Sequence, residues 1–440
     1  MTKLEPTGHL APYGVMAAPE TRRVFAALAK KGGTARFVGG IVRDVLLARD
    51  LHDVDIACDL KPEASMKALQ DAGIRVIPTG LQHGTITAVI DDYSYEITTL
   101  RVDVTTDGRH AEVAFTDNWL LDAKRRDFTF NALYADANGT IYDPFNGEAD
   151  LRIGKVRFIG VAEDRIAEDY LRILRFFRFF AHFGRPPVDA IGAEACRKGA
   201  AGLRDISRER IRDEMFKLLR AKSPAATIGD MIGFSVLPAI LPELTNVARL
   251  RIVEWLETTA LADAAISIDP LRRMASLFVS PHTGDDAMAH AARFARSLRL
   301  SNDEVERFSL MCFSYRLIEN VMDAKRVRQH LYHLGVAAFR DAVIMAWASH
   351  AAHAAARPVP GENRRWQEML ELANGWQQPE LPVKGRDILQ AGLVPAGPMV
   401  GQLLRRAEEY WLENDMQPDR DMLMDYMAAH KNADPSREMK

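Results

Sequence analysis

The chain has 440 residues, 48% apolar and 27% charged, enough apolar material for packed cores in about two to four domains. Its net charge of −3 argues against indiscriminate binding along nucleic acid, so a nucleic-acid partner needs local basic patches. No apolar run approaches the ~20 residues of a membrane span, the first residues lack the basic and apolar regions of a signal peptide, and Cys58, Cys196 and Cys312 are too scattered for a disulfide framework or a cysteine zinc site, which points to the cytoplasm.

In chain order, residues 20–30 read as a helix and residues 35–38 as a strand. The pair Gly39-Gly40 then suits a tight turn that brings backbone N–H groups against phosphate, with a helix following over 42–47. The alternation Asp53, Val54, Asp55, Ile56 predicts a strand with both carboxylates on one face. Residues 62–72 are helical with Pro62 in the first turn. Residues 74–77, 85–90 and 95–100 are β-branched or alternate with period two, as strands do. The polar, Gly-containing stretch 104–112 reads as a mobile loop, and 136–139 as a hairpin turn joining 132–135 to 140–142. After Ile159 strand patterning nearly stops. Helical periods run to Met427, with Pro and Gly breaks at 184–187, 358–361 and 379–385. The fold class is α+β: a small mixed α/β head followed by a long all-helical remainder.

Asp53 and Asp55 carry the chemistry. Two like charges held one residue apart repel, and a cation between them offsets the cost. They read as ligands for two magnesium ions, a metal that favours carboxylate and phosphate oxygen. A third carboxylate is expected on a neighbouring strand, with Glu96 preferred and Asp91, Asp92 and Asp103 as alternatives. Metal carboxylates beside a phosphate-cradling turn suggest phosphoryl or nucleotidyl transfer. Arg43, one turn into the helix after Gly40, can reach triphosphate oxygens. The run Arg125-Arg126-Asp127 with Asn131 supplies an arginine pair for phosphate and two side chains for a ribose hydroxyl. Asp143 to Gly147 reads as a connector or hinge. In Glu168-Asp169-x-x-Arg172-x-x-Arg175-x-x-Arg178, a helix makes Asp169 and Arg172 i, i+3 neighbours, which alone describes an ordinary intrahelical ion pair. An appended metal-dependent phosphohydrolase would need a His-Asp doublet in the helical region, and the one doublet, His52-Asp53, lies in the head.

Taken in order, these segments resemble the class II tRNA nucleotidyltransferase and bacterial poly(A) polymerase family, within the polymerase-beta-like nucleotidyltransferases. The carriers are Gly-Gly-x-Val-Arg-Asp with Asp-x-Asp, Arg-Arg-Asp-Phe-Thr-x-Asn-Ala, Asp-Pro-x-x-Gly and Glu-Asp-x-x-Arg-x-x-Arg, all present between Phe37 and Phe180. The resemblance implies an N-terminal helical segment (1–30), a catalytic head (31–155), a base-recognising helical neck (156–225) and an RNA-binding body and tail (226–440). It implies that Asp53 and Asp55 hold the metal. Gly39, Gly40 and Arg43 would meet the nucleotide phosphates, with Arg125, Arg126, Asp127 and Asn131 near phosphate and ribose. Asp169 and Arg172 would read the base, and Arg175 and Arg178 would lie on the triphosphate side.

An acceptor–donor pair suits cytosine and adenine, which offer an amino donor beside a ring-nitrogen acceptor. It opposes uracil and guanine, which offer the reverse. The implied activity is template-free addition or repair of the tRNA 3′-terminal CCA from CTP and ATP, with pyrophosphate released. Its alternatives are a poly(A) polymerase and a CC-only or A-only enzyme. The implied partners are tRNA, CTP and ATP, with no membrane and no protein partner. A non-catalytic RNA-binding protein with a degenerate head would have lost the acidic residues that are present here.

Overall fold

Every strand among the described residues falls before residue 143, as the loss of period-two patterning predicts. The structure is a computed structural model that describes residues 4–51, 54–106, 111–262, 266–353 and 361–431. Eight strands form one mixed sheet: β1 (Gly8–His9), β2 (Ala35–Val38), β3 (Val54–Cys58), β4 (Arg75–Gly80), β5 (Thr85–Ile90), β6 (Tyr93–Thr99), β9 (Tyr134–Ala135) and β10 (Thr140–Tyr142). The spatial order is β1-β10-β9-β2-β3-β6-β5-β4. Only β3 and β6 run parallel among the paired neighbours. The segment 104–112 departs from expectation. Its ends belong to the antiparallel strands β7 (Arg101–Thr106) and β8 (Ala111–Phe115), which form a separate hairpin paired from Arg101↔Phe115 to Thr106↔Ala111, while 107–110 lie outside the described residues. Ladder hydrogen bonds satisfy this polar backbone, which a composition-based loop assignment does not register.

Burial follows the pattern that makes these segments legible. In β5, Ile86, Ala88 and Ile90 are buried while the intervening residues are half-exposed. Helix α1 (Pro19–Lys30) buries Val24, Ala27 and Leu28, and packs beside α3 (Pro62–Asp71), whose Pro62 stands at the first turn. Helix α2 (Gly40–Leu46) follows β2 directly.

The head continues into helices α4 (Trp119–Lys124), α5 (Gly147–Ile153), α6 (Ala162–Glu168), α7 (Leu171–Phe183), α8 (Ala190–Gly199) and α9 (Arg208–Leu219). What holds α7 in place is aromatic. Phe128 and Phe130, just after the arginine pair, meet Phe179 edge-on at 5.4 and 5.3 Å, and Phe158 stacks on Phe176 at 5.5 Å. Each of these rings is buried. Each contributes about 1.5–3 kcal/mol by burial, and each favourable ring pair roughly 0.5–1.5 kcal/mol more.

The chain divides into two compact units. The first holds Met1–Val247 with Ile268–Pro270 and Ser297–Arg299, and the second holds the rest. The second unit is built of helices joined by non-helical segments among its described residues, including a long helix, Ala324–His353, kinked where Gly335 takes φ 71°. No helix among the described residues is long and apolar enough to cross a membrane.

Candidate active site

The turn after β2 is built on glycine. Gly39 has φ +65°, and a Cβ there would sit 3.3 Å from the Asn131 carbonyl oxygen, so a side chain would be strained and crowded. The Gly39 N–H donates to Leu133 O at 3.0 Å, which ties the turn to the segment before β9. One turn further, Arg43 donates to both Asp44 oxygens at 3.0 Å and to Asn131 Oδ1 at 3.2 Å, with its guanidinium 5.3 Å from the Phe179 ring.

Asp55 lies on β3 between the buried Val54 and Ile56, on the opposite face of the strand from them. Asp53 lies outside the described residues. The parallel pairing of β3 with β6 sets Asp55 directly beside Glu96, so both project from one face of the sheet. That register favours Glu96 over Asp91 and Asp92, which precede β6 and lie outside its pairing with β3; Asp103 lies on β7. Two carboxylates side by side are a hard-oxygen donor set of the kind a divalent cation takes. Among the described residues no group of three metal-ligating side chains is gathered.

Asp127 is the hub of the second motif. It accepts from Arg175 Nε at 2.6 Å, Asn131 Nδ2 at 2.9 Å and the Phe128 N–H at 2.9 Å. Burial works against its charge, but Arg175 and these hydrogen bonds outweigh burial and hold the carboxyl below its usual range. Arg125 and Arg126 are anchored by a residue outside the sequence motifs. Asp122, 1% exposed, accepts from Arg125 at 2.7 Å, Arg126 at 3.0 Å and the Tyr134 hydroxyl at 2.7 Å. Burial opposes its ionisation too, and the two guanidiniums hold it well below the carboxylate range. A sequence signal for it exists: Asp122 stands three and four residues before the arginines, at helical spacing.

The third motif differs from expectation. Asp169 and Arg172 do not form an intrahelical ion pair, because the helix breaks at Asp169 (φ −154°, ψ 105°) between α6 and α7. Asp169 instead accepts from Leu171 N at 3.1 Å and pairs with Arg210 at 2.8 Å. Arg172 pairs with Glu168 at 2.5 Å and donates to Arg165 O at 2.9 Å. Among the described residues Asp143 caps α5, accepting from the N–H groups of Phe145, Gly147 and Glu148 at 3.3, 2.8 and 2.9 Å.

These elements enclose a cavity of ≈340 Å³. Gly39, Gly40, Arg43, Asp55, Arg125, Arg126, Asp127, Asn131, Arg172 and Arg175 line it, with Val38 and Phe179. Thus residues from four separated motifs share one wall. Among the described residues, three expected members do not line it: Glu96, Asp169 and Arg178. Arg178 faces the other way, paired with the buried Glu214 at 3.1 Å and 4.2 Å from the Phe179 ring, and burial lowers its pKa to about 10. Phe179, Glu214 and Arg210 are not foreseeable from the motifs, since partner choice between helices has no local signal, whereas Glu168 opens the third motif and meets Arg172 at i, i+4.

A mixed sheet, a glycine turn over a strand carboxylate and a cleft of pinned arginines define a nucleotidyltransferase head. Residues 35–157 match the family model described as the poly A polymerase head domain, and residues 192–247 the one described as a probable RNA and SrmB-binding site of polymerase A. The mitochondrial CCA tRNA nucleotidyltransferase 1 of Mus musculus is 36% identical over 408 residues, covering 91% of this chain and 87% of that protein. A CCA-adding enzyme of Leuconostoc mesenteroides is 28% identical, covering 94% and 96%. Among solved structures, the Bacillus stearothermophilus CCA-adding enzyme in complex with CTP superposes with a TM-score of 0.69 at 26% identity, covering 94% of this chain and 99% of that one. This chain belongs to the CCA tRNA nucleotidyltransferase family. It is an enzyme, and its family works with divalent metal ions.

Proposed function

We propose that this enzyme completes and repairs the 3′-terminal CCA of tRNA, taking CTP and ATP and releasing pyrophosphate. The single observation that supports this best is the cavity: Arg43, Arg126, Arg172 and Arg175 converge there beside Asp55. With Arg125, five guanidiniums line the one cleft, which suits a triphosphate, whose oxygens accept paired N–H donors. The 3′-hydroxyl of the RNA attacks the α-phosphorus and pyrophosphate leaves. Arg43, Arg125, Arg126 and Arg175 hold the triphosphate and balance its charge. Asp127 and Asn131 position the ribose, and Gly39 and Gly40 leave room for phosphate to approach the turn. Asp53 and Asp55, with Glu96 beside Asp55, would hold magnesium as a pair of ions, which when bound makes the hydroxyl a better nucleophile and the pyrophosphate a better leaving group. Asp53→Ala should abolish transfer.

Base choice belongs to Asp169 and Arg172 in this reading. Arg172 already faces the cavity, while Asp169 is engaged by Arg210. Reading the base therefore requires Asp169 to turn from Arg210 or to be shared with it. A pair that matches C and A leaves polar groups of U and G unpaired, which can reject them by ~10⁴-fold. A small movement around Asp143 to Gly147 as the primer grows switches C to A; a crosslink that locks this segment while leaving both additions intact rules that out. The boundaries 1–30, 31–155, 156–225 and 226–440 and a cytoplasmic location are part of the same proposal, the latter supported by three unpaired cysteines.

The test offers the purified protein, with magnesium, tRNAs ending before CCA, after C and after CC, each with CTP, ATP or both. Completion to CCA followed by a stop is the expected result. Long untemplated A tracts on any RNA would overturn it.

A further inference from the structure

A second, larger cavity of ≈880 Å³ adjoins the first and shares Arg43 and Phe179 with it. Besides Arg43 its walls carry Arg49, Arg178, Lys217 and Arg220, against Asp44 and Asp50. Two of these cations are balanced: Arg43 by Asp44 at 3.0 Å and Arg178 by Glu214 at 3.1 Å. Lys217 stands 3.7 Å from Glu214, which Arg178 already occupies. Arg49 and Arg220 are exposed, and neither forms an ion pair with a carboxylate among the described residues; Arg49 donates instead to His182 O at 2.6 Å. The five cations outnumber the three carboxylates, Glu214 included, so the cavity carries net positive charge.

The rings of this cavity are already taken by guanidiniums. Arg178 and Arg43 lie 4.2 and 5.3 Å from the Phe179 centroid, and Arg43 and Arg49 each lie 5.7 Å from that of Phe183. Cations fixed on ring faces present their N–H groups with little rearrangement when an anion arrives. Burial lowers the pKa of His182, leaving it neutral near pH 7, so the charge comes from the arginines and Lys217. The volume falls in the range of clefts that hold small molecules, and the charge selects a compact polyanion.

Position says which polyanion. In the first cavity Arg172, the base-reading side chain of the proposed function, donates to Arg125 O at 3.3 Å. Arg43 instead leans on Phe179 and Phe183, where the second cavity begins. The base end and the phosphate end of a bound nucleotide are thereby set apart, and the second cavity opens at the phosphate end. In-line displacement expels the β- and γ-phosphates on the side opposite the attacking hydroxyl. The bond from the α-phosphorus to the bridging oxygen breaks, its electron pair leaves with pyrophosphate, and the RNA 3′-oxygen takes the vacated place on phosphorus. We propose that the second cavity receives the departing pyrophosphate, which passes Arg43 and is held by Arg49, Lys217 and Arg220. The proposal rests on the nucleotidyl-transfer reading above and adds to it a product site separate from the triphosphate seat.

The test is Lys217→Ala/Arg220→Ala, with Arg49→Gln as a second variant; all three residues are exposed, so thermal midpoints should match wild type. With magnesium, CTP and a tRNA ending before CCA, the inhibition constant for added pyrophosphate should rise about tenfold, while kcat/KM for CTP and for the RNA stay within about twofold. In the reverse reaction KM for pyrophosphate and kcat should rise together, because contacts made only with the released product are absent from the transition state. An unchanged inhibition constant in both variants overturns the proposal. So does a parallel fall in kcat/KM for CTP, which would assign these cations to the triphosphate seat, and so does a rise confined to KM for the RNA. If wild-type protein transfers no nucleotide in the same assay, the underlying functional reading has failed instead.

Discussion

Two regions of this molecule bury charged side chains and use them in opposite ways. Around the nucleotide cavity, carboxylates pin arginines from behind: Asp122 holds Arg125 and Arg126, Asp127 holds Arg175, and Glu168 holds Arg172. These four arginines keep 13–31% of their side-chain surface exposed, and all line the cavity. In the second unit, Arg272 bridges Glu257 at 2.7 Å and Asp341 at 2.9 Å, Arg273 holds Glu257 at 2.6 Å, and Arg307 holds Asp341 at 2.7 Å. Arg272 is 9% exposed and Arg273 fully buried there. The chemistry is the same; Arg272 and Arg273 are surrounded, whereas the cavity arginines, like Arg307 at 39% exposed, are left one open side. A surrounded pair ties helices together, whereas a pinned and half-open one presents donors that need no rearrangement to meet a phosphate.

Removing charges from each region separates these roles. The largest effect is expected from Asp55→Ala, which should lower kcat by at least about 10³-fold, the scale of losing a group that stabilises transition-state charge. Its thermal unfolding midpoint should stay near wild type, so a matched loss of stability would show that Asp55 is structural. Asp341→Ala should do the reverse. It removes one of the two carboxylates around Arg272 and a carboxylate paired with Arg307, costing about 1–3 kcal/mol in denaturant unfolding, with kcat per folded molecule unchanged. Asp127→Asn removes the charge that anchors Arg175 but keeps the shape; KM for CTP should rise about tenfold, equivalent to ~1.4 kcal/mol.

Acid should act on the cavity region in a defined window. Asp122 and Asp127 both have folded pKa values below the ordinary 3.8. Their stabilisation is complete above that unfolded value and is lost as pH falls through the folded values. Melting followed between about pH 5 and pH 3 should show a falling midpoint, and Asp122→Asn should flatten that acid limb. The smallest effect belongs to the exposed pair Arg364–Glu368, 2.9 Å apart with side chains 81% and 55% exposed. Arg364→Ala should shift stability by at most ~0.5 kcal/mol; a larger change would mean that solvated pairs matter here as much as enclosed ones.

Legibility follows the range of the interaction involved. Strand β2 is legible to its observed ends, 35–38, because an apolar run stops at two glycines. The hairpin turn at 136–139 and the proline start of α3 are equally clear, since turn and cap chemistry is local. The loop reading of 104–112 fails at its ends, where 104–106 and 111–112 pair with each other's backbone as strands, while 107–110 lie outside the described residues. The continuous helix expected through Asp169 fails because Asp169 finds Arg210, forty-one residues away, and caps the next helix with its side chain.

By itself the sequence determined which residue types are available for catalysis and in what order: the glycine turn, the paired aspartates, the arginine pair and the spaced arginines of α7. Period-two and helical patterns also determined where the sheet ends and the helices begin, since both depend on neighbours within a turn or a strand. Only the tertiary structure decided which charges face which. It set Glu96 beside Asp55 through strand register, turned Arg175 toward the nucleotide cavity and Arg178 toward Glu214, and gave Asp122 the task of holding the arginine pair. Charge partners are chosen by packing between segments dozens of residues apart, and the aromatic cluster of Phe128, Phe130, Phe176 and Phe179 fixes that packing.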